Sequence, residues 1–203
     1  MKPFLISLIL FGINANSYGQ LDQNTWLVGG SGSFYKYTEN FSSQPLSFIR
    51  KTRTIDVSGA IGYFIIDKTV VGLRPFLSAS ETSSSGVLLA KNYAVAFGPF
   101  ARYYFLRGER RANLLMDIGY AFGRNLNRLA DGSKGKNNIF SLVGGIEAFF
   151  NSTAGIEVLF GYVNRIVSTD NASDPQLNQS SNKKGFQFSI GFQIHLKKTD
   201  EKI

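Results

Sequence analysis

In the segment TIDVSGAIGYFI, residues 54–65, large apolar residues alternate with polar or small ones through most of its length. Alternation with a period of two is the pattern of a β-strand whose two faces meet different surroundings. One face carries Ile, Val and Tyr, whereas the other carries mainly Thr, Asp, Ser, Ala and Gly. The same split recurs along the chain after residue 20, and it predicts eight strands in all.

The predicted connections between these strands alternate in length. Short turns are expected at residues 67–68, 107–111 and 151–153. Long loops rich in Ser, Asn, Gly and charge are expected at residues 38–52, 81–90, 124–137 and 166–184. Short turns at one end and long loops at the other are typical of a bacterial outer-membrane barrel. A soluble β-sandwich or a lipocalin-like barrel, with the apolar face inside, is the alternative.

The composition of the face opposite the large apolar residues distinguishes between these folds. A water-facing surface usually carries many Lys and Glu residues, but this face is mostly Gly, Ala, Ser and aromatic residues with an isolated charge per strand. Such a face suits the crowded interior of a narrow barrel, with the large apolar face on lipid. A sheet in lipid must close, since no strand edge can stay open there. We therefore predict an all-β, eight-stranded antiparallel up-and-down transmembrane β-barrel over residues 20–203.

The N-terminus has the three parts of a secretory signal peptide. Lys2 precedes FLISLILFGI, residues 4–13, and Ser17 and Gly19 occupy the −3 and −1 positions of a cleavage site. Ten residues are too few for a transmembrane helix, which needs about 20. We predict a signal peptide over residues 1–19 and export from the cytoplasm. A buried N-terminal helix is the alternative.

The rest of the composition limits the kinds of functional site that the chain can carry. The chain has 203 residues, no Cys, one His and a net charge of +8. The absence of Cys excludes a disulfide scaffold, Cys-ligated zinc and iron–sulfur clusters. We expect neither a cofactor nor a metal site. We interpret the mean hydropathy of −0.05 as the average over an apolar lipid-facing surface, a polar lumen surface and solvent-exposed loops.

Three segments carry a family resemblance. They are TWLVGGSGSF at residues 25–34, GYFIIDKTVVGL at 62–73 and GPFARYYF at 98–105. They resemble hallmark segments of the small OmpX/OmpA-like outer-membrane β-barrels of Gram-negative bacteria. The resemblance implies eight antiparallel strands, periplasmic termini and four outer loops, and it implies no particular activity.

The predicted lumen face carries a set of opposite charges. Its members are Asp56, Arg74, Arg102, Asp117, Glu147 and Glu157. Counted from the short turns, all but Asp56 fall within a slab about one side chain thick. Charges in a dry interior must be paired or hydrogen-bonded, and an eight-stranded barrel is just wide enough for side chains to fill. The sequence therefore predicts a polar plug, with a proton or ion path as the alternative.

Catalysis is not expected. His195, the single His, lies near the end of the last strand at the periplasmic rim, which is the wrong end for the Ser/His chemistry of outer-leaflet lipid enzymes. The carboxylates Glu147 and Glu157 would need a sugar-sized cleft for glycosidase work, and a plugged barrel has none. We predict that the chain is not an enzyme.

Most of the positive charge is predicted at the outer loops and their edges, which also hold Lys91 and Arg165. Lys and Arg pair well with phosphate, so contacts to lipopolysaccharide phosphates are one interpretation, and solvated loop charge is the other. The candidate contacts are Arg50, Lys51, Arg53, Arg124, Arg128, Lys134, Lys136, Lys183 and Lys184. No basic run with interleaved aromatics suggests nucleic-acid binding.

A structural or surface-interaction role of adhesion type is the function that these features favour. A barrel that binds or transports a small hydrophobic molecule is the alternative, and an outer-membrane lipid-modifying enzyme is third. The expected partners are outer-membrane lipid, lipopolysaccharide and the barrel-assembly machinery. That machinery would read the aromatic face of the last strand, which begins at Phe186 and ends at Leu196. We expect a monomer.

Overall fold

The computed structural model describes residues 21–43, 46–84, 87–107, 110–126, 134–170 and 179–197, and the predicted signal peptide lies outside this part of the chain. The strands are β1 (Thr25–Ser43), β2 (Leu46–Ile66), β3 (Thr69–Ser84), β4 (Val87–Tyr104), β5 (Ala112–Asn125), β6 (Lys134–Phe149), β7 (Ala154–Asp170) and β8 (Gln179–Lys197). Among the described residues, no helix is long and apolar enough to cross a membrane.

The eight strands form one closed barrel in which each strand pairs antiparallel with its neighbours along the chain. Closure comes from β1 and β8, which pair from Thr25 opposite Lys197 to Ser33 opposite Ser189. The predicted all-β, eight-stranded antiparallel barrel is confirmed. Its last strand, which carries the segment predicted to meet the assembly machinery, is the strand that closes the sheet on β1.

The barrel has two different ends. At one end, which we call the short-turn end, residues 67–68, 105–111 and 150–153 connect the strands, and the first and last strands have their outer termini. Lys68 takes a left-handed backbone conformation with φ 65° in the tightest of these turns. Its amide donates to the carbonyl of Leu21 at 2.8 Å, and Leu21 itself is buried. The residues just before β1 thus cover this end of the lumen.

The other end, which we call the long-hairpin end, differs from the prediction. Most of the segments predicted as long loops are strand, and β1 pairs with β2 as far as Ser43 opposite Leu46. The ladder continues because Ser and Thr are compatible with strands and need no apolar neighbour in water. Only residues 44–45, 85–86, 126–133 and 171–178 separate the described strands here.

The two faces of the wall are inverted relative to a soluble protein. Along β5, exposed and buried residues alternate over nine positions, with Leu114, Met116 and Ile118 exposed on the outside. The inward residues between them include Asp117, which is fully buried. Large apolar side chains therefore cover the outside while charges occupy the inside, which is the arrangement predicted from residues 54–65.

Aromatic side chains flank the apolar band at both ends. At the short-turn end, the rings of Trp26 and Tyr63 meet edge to face with centroids 5.1 Å apart. At the other end, Phe160 and Phe186 stack at 5.5 Å. Rings at both borders of an apolar band are typical of transmembrane β-barrels.

Candidate functional site

The lumen contains a charge cluster near the short-turn end, and Asp117 lies at its centre. Arg74 donates two parallel hydrogen bonds of 2.9 and 2.7 Å to this carboxylate. The alternation of β3 and β5 turns both side chains inward, and the Arg74 guanidinium also lies 4.4 Å from the ring centroid of Phe100. A two-bond pair of this kind fixes the orientation of both groups. It ties together two strands that are not neighbours.

Arg102 links the carboxylates of this cluster. Its Nε lies 3.0 Å from Asp117 Oδ2, and its Nη1 lies 2.7 Å from Glu157 Oε2. The Arg102 side chain is 1% exposed. A buried guanidinium is tolerated only when its hydrogen bonds and its charge are both satisfied. Two carboxylates do this here, one on β5 and one on β7.

Glu147 and Glu157 face each other directly across β6 and β7. Like charges in directly opposite positions destabilise a sheet unless other groups neutralise them. Tyr104 donates to Glu147 at 2.6 Å, and His195 Nε2 lies 2.8 Å from the other oxygen of that carboxylate. Gln193 donates to Glu157 at 2.9 Å. Each carboxylate thus has its own set of donors.

A second ion pair crosses the lumen nearer the long-hairpin end. Arg165 on β7 lies 3.0 Å from Asp56 on β2, and it donates to the Ser78 hydroxyl at 3.0 Å. Asp56 was predicted together with the other five lumen charges, but it lies opposite Ser78 on β3, four residues beyond Arg74. Four residues of strand span about 13 Å. Asp56 therefore belongs to a separate pair, and it does not join the cluster around Asp117.

Between the two sets of charges lies a cavity of about 60 Å³. Its lining includes the hydroxyls of Ser31, Ser58, Ser141 and Ser189. Ser31 and Ser58 are hydrogen-bonded to each other at 2.9 Å. A space of this size holds a few water molecules, whereas pockets for small organic ligands measure about 300–1,000 Å³. The cavity is thus too small for such a ligand.

Below the charge cluster, aromatic side chains form the floor of the lumen. The His195 ring packs against Phe149 and Phe64, with centroids 5.3 and 5.7 Å apart. Leu27 and Phe64 are completely buried beside them. The His195 ring thus lies between this aromatic layer and the Glu147 carboxylate. In the described part of the chain, no cluster of His, Asp and Glu could hold a metal ion.

Sequence reasoning missed four lumen residues. The prediction put Arg165 at a loop edge. It did not include Tyr104, Gln193 or His195 among the interacting residues of the lumen. The signal for Arg165 was present, because it continues the inward positions of Glu157, Leu159 and Gly161 along β7. The alternation simply runs further along the strand than the apolar residues do.

The predicted phosphate contacts fall into three groups. Exposed side chains on the outward face of the wall belong to Lys51, Arg53, Arg124, Lys136 and Lys184. Lys183 differs, since it lies opposite Arg165 and alternates with outward residues, so it is at the mouth of the lumen. Arg128 and the side chains of Arg50 and Lys134 lie outside the described part.

Comparison with solved structures supports the fold. The outer membrane protein OprG from Pseudomonas aeruginosa matches with a TM-score of 0.55 and 15% identity over 91% of this chain and 100% of that chain. Neisserial surface protein A matches with a TM-score of 0.46 and 13% identity, over 85% and 97% of the two chains. The N-terminal barrel domain of Pseudomonas aeruginosa OprF matches with a TM-score of 0.46 and 15% identity, over 86% and 98%.

The match to OprG has a TM-score above one half, and it shows that this chain has the fold of a small outer-membrane β-barrel. No protein-family model and no curated protein matches the sequence.

Proposed function

We propose that this chain is an integral outer-membrane protein with a structural or surface-interaction role, in which side chains plug the lumen. The observation that carries the proposal is the inversion of the barrel wall. Large apolar side chains such as Phe97, Phe122 and Phe188 are at least half exposed, while Arg102, Asp117, Glu147 and Glu157 are buried. A band of this kind in water would expose an apolar surface far larger than soluble proteins tolerate.

The plug follows from the strength of the charge cluster. Arg74, Arg102 and Asp117 are joined by charge-assisted hydrogen bonds of 2.7–3.0 Å. Moving any of them aside would leave a buried charge without its partner, at a cost of about 3–5 kcal/mol. This cost favours a filled interior over an open channel. It also leaves little room for the alternative of a hydrophobic cargo, because the cavity is small.

No catalytic role is part of the proposal. The floor around His195 is packed with aromatic rings, and the two glutamates have structural donors. In the proposed location, outer-membrane lipid surrounds the apolar band. The barrel-assembly machinery would meet the chain through β8, and the folded protein would act as a monomer.

The proposed orientation puts the chain termini and the short turns in the periplasm and the long-hairpin end outside the cell. The absence of Cys from the chain makes this directly testable. In living Gram-negative cells, Lys184→Cys on the outward face of β8 should react with a membrane-impermeant maleimide. Arg110→Cys, exposed in a short turn, should react only after the outer membrane is made permeable. Both variants should be found in the outer-membrane fraction.

Two results would contradict the proposal. Recovery of the folded chain in the soluble fraction would contradict membrane insertion. Labelling of Arg110→Cys but not of Lys184→Cys on intact cells would reverse the orientation.

A further inference from the structure

Three arginines lie in the short turn that connects β4 and β5. Arg107, Arg110 and Arg111 are all exposed at the short-turn end of the barrel. Within the described ranges, none of their side chains takes part in an ion pair. The same turn contains Glu109, which lies outside the described residues, so three arginines and one glutamate give the turn a net charge of +2. The turn therefore presents a surplus of positive charge to its surroundings.

The other connections at this end have no such surplus. Asp67 and Lys68 together make the turn between β2 and β3 neutral, and residues 150–153 between β6 and β7 include no charged residue. Beside the outer ends of β1 and β8, Lys197 Nζ lies 2.9 Å from Asp22 Oδ2, so this cation has an acidic partner. Among the described residues, the positive charge of the short-turn end is thus concentrated in one turn.

Hydrogen bonds fix the backbone of the arginine turn. The amide of Arg110 donates to the carbonyl of Arg107 at 3.2 Å. The side chain of Asn113, which is buried, accepts from the amide of Leu106 at 2.9 Å and donates to the carbonyl of Arg107 at 3.4 Å. The arginines therefore project from a defined turn, and a preorganised site loses less entropy when it binds a ligand.

The apolar wall of the barrel begins directly beside this turn. Phe105 is 48% exposed, and its ring meets Tyr103 edge to face with centroids 5.1 Å apart. Leu114, whose carbonyl accepts from the amide of Phe105 at 2.9 Å, is also exposed on the outside. A soluble anion would contact only the arginines. A lipid would place its headgroup on the arginines and its acyl chains along the wall, so this arrangement favours a lipid.

We infer that Arg107, Arg110 and Arg111 bind the phosphate of an anionic phospholipid, with its acyl chains against the adjoining aromatic pair. Guanidinium groups match phosphate oxygens with two-bond geometry. The site should select lipids of net negative charge, because a zwitterionic headgroup brings its own cation close to the phosphate. The inference rests on the orientation proposed above, which places this lipid in the periplasmic leaflet of the outer membrane.

The test uses the full chain in detergent and measures lipid binding by native mass spectrometry. Phosphatidylglycerol is the probe, and phosphatidylethanolamine with the same acyl chains is the zwitterionic comparison. The test variant combines Arg107→Gln, Arg110→Gln and Arg111→Gln. The charge-matched control removes three cations from elsewhere on the barrel and combines Lys68→Gln, Lys91→Gln and Lys197→Gln.

A cation near an anionic lipid surface contributes about fivefold in affinity. The control should therefore bind phosphatidylglycerol like the wild type, whereas the test variant should bind it more than about tenfold more weakly. The wild type should bind phosphatidylethanolamine about as weakly as the test variant binds phosphatidylglycerol. If the test variant does not fold, Arg107→Gln alone should still weaken binding of phosphatidylglycerol about fivefold.

Three results would overturn the inference. Equal binding of phosphatidylglycerol by the wild type and the folded arginine variants would exclude the site. Equal binding of both lipids by the wild type would exclude selection by charge. Inorganic phosphate should compete only at concentrations far above those of the lipid, and competition at the lipid's own concentration would overturn the assignment to a lipid.

The same assay distinguishes this inference from the proposed function. Heat-modifiable migration on a gel reports the folded barrel in each variant, and the cysteine labelling reports orientation in cells. Binding in detergent depends on neither location nor orientation. Reversed labelling would therefore contradict the proposed function, whereas loss of selectivity for anionic lipid in a folded protein would contradict only the site.

Discussion

Arg165 Nη2 lies 3.0 Å from Asp56 Oδ2, so an ion pair joins two residues that are 109 positions apart in the sequence. Their strands, β7 and β2, are not neighbours in the sheet. The pair therefore holds the barrel together across its lumen, independently of the backbone ladder. Arg165 also packs over Phe76, with its guanidinium carbon 5.3 Å from the ring centroid.

We expect the Arg165–Asp56 pair to appear as a coupling energy. In a double-mutant cycle with Asp56→Ala and Arg165→Ala, the free energies of unfolding should be non-additive by about 1–3 kcal/mol, since the two groups are in contact. Fluorescence of Trp26, the single Trp, can follow denaturant unfolding. The matched cycle of Asp117→Ala with Arg165→Ala should be additive within about 0.5 kcal/mol. Additivity in both cycles would exclude an energetic role for the ion pair.

Arg102→Leu should destabilise the barrel strongly. The substitution removes the cation that contacts Glu157 and one of the two cations that contact Asp117. Breaking a buried pair in this way costs about 3–5 kcal/mol. The folded band on an unheated gel should convert to the unfolded band at a lower temperature. Arg53→Leu, on the exposed outer wall, should change stability by less than about 1 kcal/mol. A heat resistance of Arg102→Leu equal to that of the wild type would refute the plug.

Tyr104→Phe isolates one hydroxyl of the cluster. That hydroxyl donates to Glu147 at 2.6 Å and accepts from Arg102 at 3.3 Å. Its removal should lower the free energy of unfolding by about 1–3 kcal/mol, because a buried carboxylate loses a donor. The neighbouring residue gives a matched control, since Tyr103 points outward and is 45% exposed. Equal effects of Tyr103→Phe and Tyr104→Phe would show that the hydroxyl contributes nothing.

Gly98→Ala tests how tightly β4 and β5 approach each other. A Cβ at position 98 would overlap the carbonyl oxygen of Tyr120, which is a backbone atom that cannot turn away. The strands would have to separate, at a cost of about 1–3 kcal/mol. Gly32→Ala is the control, because a Cβ there meets nothing within 4 Å. Stability measured by unfolding should fall for Gly98→Ala alone, and a similar loss for both would argue against the close approach.

The fold could be predicted because lipid imposes a strict rule on the wall. Every outward position inside the apolar band must be apolar or small, so the period of two is visible in residues 54–65 and in the other strands. Above the band both faces of a strand meet water, and the rule no longer applies. The chain around residues 38–52 therefore looked like a loop, although its backbone continues the ladder between β1 and β2.

The site could be predicted only in part. Inward charges were visible because each stands out on a face of small residues. Their partners were harder to find, since contacts such as Arg165 with Asp56 depend on the shear and curvature of the closed sheet. Uncharged members such as Tyr104 were hidden for a different reason, because an inward aromatic residue also serves as simple packing.

The central claim is that side chains close the lumen, and current through a planar lipid bilayer tests it most directly. Purified protein whose folded state is verified by heat-modifiable migration should insert without producing conductance steps. The reason for this expectation is that two sets of ion pairs cross the lumen with only a small cavity between them. Reproducible conductance steps from the folded wild-type protein would contradict the plug.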